Sequence, residues 1–296
     1  MSLEEKLKMS LSKYVLLFWY KKTQEFTIKH NTLATNRLFR SYRRRCINYV
    51  QSKCSSDFII LEGRKMHVDK DEYLKLLLEQ DGIITKFVKK AIKKGDVVLD
   101  LGANIGYWTC LLAELVGDKG HVYAFEPESH NFQLLKKNVE INNYKNVTLE
   151  QKAVSNKTGK TRLFISNVTT DHRIYDWSGH QDSIEIDVVR LDDYFKGKEI
   201  AINYIKSNLQ GADFVAVQGM LSLIRRVKDL KMIVEYHPNT MLEFGSNPKE
   251  FIEFLINEGF KLHDVGSNKI KSIEPNKIFK EYSPKKNLGT SFLCVK

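Results

Sequence analysis

The spacing of hydrophobic residues changes near residue 80. From there onward, short runs rich in β-branched and aromatic residues alternate with runs of helical spacing, which is typical of a mostly parallel sheet with helices on both faces. We predict seven strands, at residues 97–101, 121–125, 147–154, 203–207, 232–236, 260–265 and 290–296. No helix is predicted between the last two strands, which would allow them to pair as a hairpin.

Helical spacing is found between these strands, and we predict helices at residues 106–116, 129–141, 213–227 and 248–258. Two further strands, "TRLFIS" (161–166) and "SIEIDVVRL" (183–191), flank a polar loop at 167–182. Long loops after the carboxyl ends of parallel strands commonly carry functional residues. We therefore interpret this loop as a candidate lid or substrate wall.

The first 80 residues have a different pattern. Apolar residues from Leu3 to Phe18 recur at steps of three or four, which predicts an amphipathic helix. This helix could pack on the main domain or lie on anionic lipid through residues 1–22, and both alternatives stay open. We expect a basic, mainly helical N-terminal extension at 1–80 and an α/β domain at 81–296.

The net charge of +11 is concentrated at the N-terminus. Residues 1–56 carry twelve Lys/Arg against three Asp/Glu, whereas the rest of the chain carries 35 against 33. A nearly neutral α/β domain favours a small acceptor over a long polyanion. Contact with nucleic acid remains an alternative, and it would use residues 1–56.

The cysteines argue against a metal site. The four of them form no CxxC pair and no group with histidine, which disfavours both a zinc site and a disulfide framework. The apolar stretch "YVLLFWY" (14–20) has seven residues, whereas a membrane span needs about twenty. We expect a cytoplasmic protein, with peripheral membrane contact as an addition.

The segment "VVLDLGANIGYWT" (97–109) carries the clearest chemistry. Gly102 and Gly106 bracket a tight turn between a strand and a helix, where backbone N–H groups can face an anion. No Lys-Ser or Lys-Thr follows, which excludes a P-loop, and Asn104 replaces the middle glycine of a dinucleotide turn. Glu126 in "AFEPE" ends the next strand, where a carboxylate can accept both hydroxyls of a ribose. S-adenosylmethionine, an adenosine with a small zwitterionic tail, fits this pair.

Longer blocks point to a family. "DLGANIGYWT", "AFEPESHNFQLLKKNVEIN", "VTLEQKAVSNKTG" and "IEIDVVRLDDYF", followed by "IKSNLQGADF", resemble the FkbM-type family of S-adenosylmethionine-dependent methyltransferases from about Gly95 to Gly259. The resemblance implies a Rossmann-like class I methyltransferase fold. It also implies methylation of oxygen atoms on sugars, lipids or natural products.

The resemblance also implies cofactor contacts. The methionine part of the cofactor would be lined by Asp100, Gly102, Asn104 and Gly106. Glu126 would bind the ribose, and Ala153 and Val154, beside Lys152, match the segment near the adenine ring. From the residues alone, the Asp100 carboxylate could pair with the amino group of the cofactor or brace the turn.

One block departs from the family pattern. Where relatives read "IKIDVQGAE", this chain has Ser207 and Asn208, and Asp213 replaces the final glutamate. Asn208 cannot abstract a proton, but it could position a hydroxyl or the cofactor. We therefore assign Asn208 a candidate catalytic role without proton transfer, and Asp213 a candidate substrate contact.

Other side chains could accept the proton. Glu235 and His237 follow the fifth predicted strand, at the same sheet edge as the cofactor, and His172 lies in the inserted loop. We predict catalytic roles for these three. Their neighbours Asp171 and Arg173 are predicted to contact the substrate, and Arg173 would suit an anionic group.

Three hypotheses follow. The first is an S-adenosylmethionine-dependent methyltransferase acting on a hydroxyl of a sugar, glycolipid or other small molecule. The second keeps the enzyme class but makes RNA the acceptor, tethered by the basic N-terminus. The third is a catalytically weak relative that is retained as a cofactor-binding module, as the Ser207-Asn208 change would permit.

Overall fold

The computed structural model describes residues 58–68, 82–166, 171–176, 182–265 and 270–296. The chain divides into two compact units, one ending at Gly82 and the other running from Ile83 to Lys296. In the first unit, the described residues form an antiparallel hairpin of β1 (Ile59–Leu61) and β2 (Arg64–Met66). The predicted amphipathic helix and the basic segment lie outside the described residues.

The second unit is an α/β domain. Its strands are β3 (Val97–Leu101), β4 (His121–Phe125), β5 (Val147–Glu150), β6 (Ala153–Ser155), β7 (Gly159–Phe164), β8 (Ser183–Arg190), β9 (Tyr204–Ser207), β10 (Lys231–Tyr236), β11 (Lys261–Val265), β12 (Ile270–Ser272) and β13 (Thr290–Val295). Its α-helices are α1 (Ile83–Ala91), α2 (Tyr107–Val116), α3 (Ser129–Ile141), α4 (Leu191–Tyr194), α5 (Asp213–Gln218), α6 (Leu221–Arg226), α7 (Pro238–Glu243), α8 (Pro248–Asn257) and α9 (Pro275–Glu281).

Eight of the described strands form the central sheet, in the order β12-β11-β13-β10-β9-β3-β4-β5. The strands from β10 to β5 in this order are parallel, and β13 runs antiparallel to both of its neighbours. The predicted α/β fold is confirmed, with β12 as an additional edge strand. The prediction that no helix separates the last two strands is wrong, because α9 lies between β11 and β13, although these strands do pair.

The predicted strand at 147–154 is two strands. The polar run Glu150-Gln151-Lys152 ends β5, and the chain then enters a separate three-stranded sheet with the order β6-β8-β7. In this sheet β6 pairs with β8 in parallel, and β7 pairs with β8 antiparallel. The inserted strands predicted from the sequence therefore build a small sheet of their own.

The predicted helix at 213–227 is also divided, because α5 and α6 are separated by Gly219 and Met220. The start of α6 is capped from another element. The Asp192 carboxylate in α4 accepts hydrogen bonds from the N–H groups of Ser222 and Leu223, both at 3.1 Å. These bonds satisfy helix donors that would otherwise lack partners.

Hydrophobic side chains cover both faces of the central sheet. On one face, residues such as Leu99, Ile205 and Val234 pack against α5, α6 and α8. On the other, Val98 and Val122 pack against α1 and α2. Each fully buried large aliphatic side chain contributes about 1.5–3 kcal/mol. With both faces covered, the carboxyl ends of the parallel strands are the exposed edge at which loops can form a site.

The helices of the described segments do not combine the length and hydrophobicity that crossing a lipid bilayer requires.

We expect Asp192→Ala to lower the free energy of unfolding by about 1–3 kcal/mol, because α6 loses both capping bonds. Urea denaturation measures this loss. The matched control is Asp193→Ala, because the Asp193 side chain is 48% exposed whereas that of Asp192 is 6% exposed. We expect the control to lose less than about 1 kcal/mol. Equal losses in the two variants would contradict the capping role.

Candidate cofactor and acceptor site

The turn between β3 and α2 has the shape that its glycines predict. Gly102 and Gly106 have φ angles of 75° and 91°, and Asn104 has a φ of 50°. A Cβ atom on Gly102 would lie 2.2 Å from the carbonyl oxygen of Asn208, so the loop after β9 closes against the turn. The residue before α2 is Gly106, which has no side chain with which to cap the helix. A helix start of this kind suits a ligand carboxylate.

Glu126 lies beside this turn at the end of β4. Its Oε2 accepts the Asn104 N–H at 2.8 Å, and its Oε1 accepts the Glu128 N–H at 2.9 Å. Burial raises the pKa of Glu126 to about 7, although both backbone bonds oppose the rise. Each carboxylate oxygen uses one lone pair for a backbone bond and keeps another. The carboxylate can therefore accept two more hydrogen bonds, which fits a ribose diol.

Asp100 is completely buried beneath the turn, where one carboxylate oxygen accepts a hydrogen bond and the other makes an ion-pair contact without hydrogen-bond geometry. Oδ2 accepts the Thr109 hydroxyl at 2.6 Å, and Oδ1 lies 3.1 Å from Nζ of Lys206. The Lys206 ammonium also donates to the Gly102 carbonyl at 2.9 Å. These contacts are those of a residue that braces the turn, and pairing of Asp100 with the amino group of the cofactor stays a prediction.

Sequence reasoning missed Lys206 and gave Thr109 no role. Lys206 occurs in the block "IKSNLQGAD", and it pairs directly with Asp100 in the parallel register of β9 and β3. A lysine in the middle of a predicted central strand could have indicated a buried ion pair, because lysine is seldom buried without a charged partner.

Ala153 and Val154 are placed differently from the other predicted cofactor residues. Both lie in β6, in the small sheet. The Ala153 side chain packs in that sheet's own cluster, and the Val154 side chain packs in the main core. Since both side chains are buried in the protein, any contact of Ala153 and Val154 with adenine would be made by backbone atoms.

The loop after β9 is stabilised by its own polar residues. Asp213 is buried, and its carboxylate accepts the Ser207 hydroxyl at 2.6 Å and the Leu209 N–H at 3.2 Å. Burial raises the pKa of Asp213 to about 6. Asn208 is exposed, and its side-chain oxygen accepts a bond from Gln210 at 3.0 Å. The structure thus gives Asp213 a bracing position and leaves Asn208 at the surface of the site.

Residues 171–176 form a clasp over this loop. The Arg173 guanidinium donates to Asp171 at 2.9 Å and to Glu243 of α7 at 2.7 Å. The Tyr175 hydroxyl lies 3.0 Å from the Thr240 carbonyl and 3.2 Å from the Gln210 carbonyl. The predicted contact of Arg173 with an anionic substrate is disfavoured here, because two carboxylates already surround its charge.

The two candidate histidines differ in their hydrogen bonds. Nδ1 of His172 accepts the Ser166 N–H at 3.0 Å, and Nδ1 of His237 accepts the Thr240 N–H at 3.5 Å. A neutral imidazole that accepts at Nδ1 carries its proton on Nε2 and is a donor there. Burial lowers the pKa of both histidines. His172 is thereby fixed as a donor, whereas the longer bond holds His237 weakly.

Glu235 and His237 meet in one polar recess. It has a volume of about 510 Å³, and its other lining residues are Val265, Tyr282, Gly289, Thr290 and Ser291. It lies at the carboxyl end of β10, the same sheet edge as Glu126. The structure therefore brings the predicted cofactor residues at β3 and β4 together, and brings two predicted catalytic residues together at β10.

This arrangement defines an S-adenosylmethionine-binding domain of the class I methyltransferase fold. Residues 100–262 match the family described as Methyltransferase FkbM domain. Since this match spans more than half of the chain, the chain belongs to the FkbM methyltransferase family, and S-adenosylmethionine is the cofactor of the matched domain.

Curated relatives match over a shorter segment. A protein-L-isoaspartate O-methyltransferase from Methanothrix thermoacetophila is 36% identical over 58 residues, which are 20% of this chain and 28% of that protein. One from Methanosarcina mazei is 40% identical over 58 residues, which are 20% of this chain and 24% of that protein. The match spans less than a third of the length of these relatives.

Solved structures are similar at low identity. Methyltransferase FkbM from Methylobacillus flagellatus KT has 14% identity and a TM-score of 0.42, covering 77% of this chain and 56% of that chain. A SAM-dependent methyltransferase from Aquifex aeolicus has 15% identity and a TM-score of 0.39, covering 72% of this chain and 89% of that chain. The family assignment rests on the domain match and not on these superpositions.

Glu126 predicts opposite pH effects on stability and on cofactor binding. Its pKa is raised from 4.5 to about 7, so its protonated form stabilises the fold below about pH 4.5, and this contribution is lost as the pH rises through about 7. The charged carboxylate is predicted to accept the ribose hydroxyls, so affinity for S-adenosylmethionine is expected to rise over the same range. Urea denaturation and titration calorimetry between about pH 5 and pH 8 measure the two trends.

Glu126→Gln is the control variant for both trends. It should remove the pH dependence of cofactor affinity between about pH 5 and pH 8. The pH dependence of stability should decrease without disappearing, because the raised pKa of Asp213 contributes with the same sign. A wild-type cofactor affinity that stays constant over this range would show that Glu126 does not bind the ribose in its charged form.

The clasp gives a second prediction. Tyr175→Phe removes the hydroxyl that joins residues 171–176 to the carbonyls of Gln210 and Thr240, and we expect a loss of about 1–2 kcal/mol in unfolding free energy. Amide hydrogen exchange should accelerate in residues 208–212. Tyr123→Phe, at a half-buried ring in β4, is the control and should change stability by less than about 0.5 kcal/mol. Unchanged exchange in 208–212 would mean that the clasp does not restrain this loop.

Proposed function

We propose that this protein is an S-adenosylmethionine-dependent O-methyltransferase that acts on a hydroxyl of a sugar, glycolipid or other small molecule. The observation that carries the proposal is the polar recess at β10, which lies on the same sheet edge as the cofactor turn. Its volume of about 510 Å³ is within the range of small-molecule sites. The near balance of charge after residue 56 gives no preference for a long polyanion.

The recess begins two strands away from the turn, on the same edge of the sheet. β3 and β10 are separated in the sheet by β9 alone. With neighbouring strands about 4.8 Å apart, β3 and β10 are roughly 10 Å from each other. The reacting hydroxyl of an acceptor would lie near Glu235 and His237 at β10, and Thr290 and Ser291 on β13, one strand further from the turn, would hold the remainder.

When bound, S-adenosylmethionine supplies a methyl group on a sulfonium, which makes the methyl carbon electrophilic without help from the protein. The protein must then align the acceptor, and orientation can be worth roughly 7–11 kcal/mol in favourable cases. The turn at 102–106 and the Glu126 carboxylate would hold the donor. The lining of the recess would hold the acceptor.

The acceptor hydroxyl loses its proton as its oxygen is methylated, and His237 is the best candidate to take that proton. Burial lowers its pKa, so the ring is neutral near pH 7. A base at Nε2 requires the tautomer with the proton on Nδ1, which cannot accept the Thr240 N–H. Because that hydrogen bond is long at 3.5 Å, losing it costs little free energy. Glu235 lines the same recess and would orient the hydroxyl.

The domain division and the cellular location belong to the same proposal. We assign residues 1–80 to an N-terminal extension and residues 81–296 to the catalytic domain. The basic segment at 1–56 supports an anionic surface as a contact of the extension. We place the protein in the cytoplasm, where isolated reduced cysteines persist.

The proposal is tested with methyl-labelled S-adenosylmethionine and a panel of monosaccharides, glycolipids, total RNA and isoaspartyl peptide. We expect label in a base-stable methyl ether of a sugar or glycolipid. His237→Gln should lower kcat by about 10² or more, with calorimetric affinity for the cofactor unchanged. His121→Gln, at the opposite end of the sheet, is the control and should retain full activity.

Four outcomes would contradict the proposal or its assignment of the base. Label in RNA would favour the tethered RNA methyltransferase, and label in a base-labile ester would indicate carboxyl methylation. Cofactor binding without transfer to any acceptor on the panel would favour the catalytically weak module. Unchanged kcat in His237→Gln, with a methyl ether still formed, would overturn the assignment of the base.

A further inference from the structure

Lys206 is a buried lysine for which the proposed reaction has no task. It is 9% exposed and lies opposite Asp100 in the parallel register of β9 and β3. Its Nζ lies 3.1 Å from Oδ1 of Asp100 and donates to the Gly102 carbonyl at 2.9 Å. One ammonium thus connects a buried carboxylate to the first residue of the cofactor turn.

Stability alone does not explain a charge at this position. Desolvating an ammonium is costly, and replacing a buried ion pair by apolar residues of similar volume is often neutral or stabilising. Among the described residues from 82 onward, Lys206 is the one buried Lys or Arg, whereas Asp100, Glu126 and Asp213 are all buried. The single cation therefore lies among three carboxylates.

The turn is held from two sides. On the β4 side, the N–H groups of Gly102 and Ala103 both donate to the Phe125 carbonyl, at 3.1 and 2.9 Å, and the Asn104 N–H donates to Glu126 at 2.8 Å. On the β9 side, the Gly102 carbonyl accepts from Lys206. The turn is therefore hydrogen-bonded to β4 on one side and to Lys206 of β9 on the other.

We propose that Lys206 is a positioning residue of the cofactor site, which ties the end of β3 to the Gly102 carbonyl and so holds the turn and its donors in the shape that receives S-adenosylmethionine. This inference concerns the cofactor alone and does not depend on which acceptor is methylated. Lys206 acts through the turn and through Glu126, without contact with the reacting atoms.

The charge of Lys206 has a second effect. It lowers the pKa of Glu126, against the rise caused by burial and by the neighbouring charge of Glu128. It also lowers the pKa of Asp213 against burial. Removing the ammonium should therefore move the loss of cofactor affinity to a higher pH, which a purely structural role would not do.

The test compares Lys206→Met, which keeps the length of the side chain but not its charge, with Lys231→Met. Lys231 lies at the amino end of β10, away from the turn. Titration calorimetry with S-adenosylmethionine should show a Kd raised roughly tenfold or more in Lys206→Met at about pH 7. The pH at which half of the affinity is lost should also rise. Lys231→Met should match the wild type in both measurements.

Lys206→Met could fail to fold, because it leaves the Asp100 charge uncompensated. Lys206→Arg keeps a cation beside Asp100 and is the second variant. Since a guanidinium is larger and planar, we expect a Kd raised about threefold or more with the wild-type pH midpoint. A folded Lys206→Met with a Kd within twofold of the wild type and the same midpoint would overturn the proposal. A pH midpoint in Lys206→Arg that rises as far as in Lys206→Met would also contradict it, because the cation beside Asp100 is retained.

Discussion

The cofactor site depends on a short turn of backbone held between buried charges. The turn from Gly102 to Gly106 must leave some N–H groups available to a ligand. Its other N–H groups must be hydrogen-bonded within the protein, so that the turn keeps one conformation. Glu126 accepts one of these groups, and the Asp100–Lys206 pair holds the turn from below. Burial makes each charge costly when unpaired, so this part of the site has few alternative conformations.

A different set of contacts organises the region around the recess at β10. The Arg173 and Tyr175 clasp joins the small sheet to α7 and to the loop after β9. His237 is the residue that precedes α7, so the same helix connects the clasp to the recess. The loop after β9 lies between the turn and α7. A change in this loop would therefore affect both the turn and the recess.

The sequence predicts the strands that build the turn better than the elements around it. The bounds of β3 and β4 agree with their apolar runs, because both strands are short, buried and bounded by turn residues. The break after Glu150 depends on pairing of Ala153–Ser155 with β8, which local spacing does not encode. The positions of Glu126 and the glycines followed from spacing alone. The role of Lys206 could not be predicted in this way, because it depends on pairing with Asp100. The two residues are more than a hundred positions apart in the chain.

The separation of β3 and β9 along the chain has a consequence for biosynthesis. β9 is one of the two neighbours of β3 in the central sheet, yet the whole small sheet is encoded between them. On the ribosome, Asp100 has no ammonium partner until Lys206 has emerged, and one edge of β3 stays open for as long. The nascent chain therefore carries an unpaired carboxylate and an open strand edge through the translation of about a hundred codons.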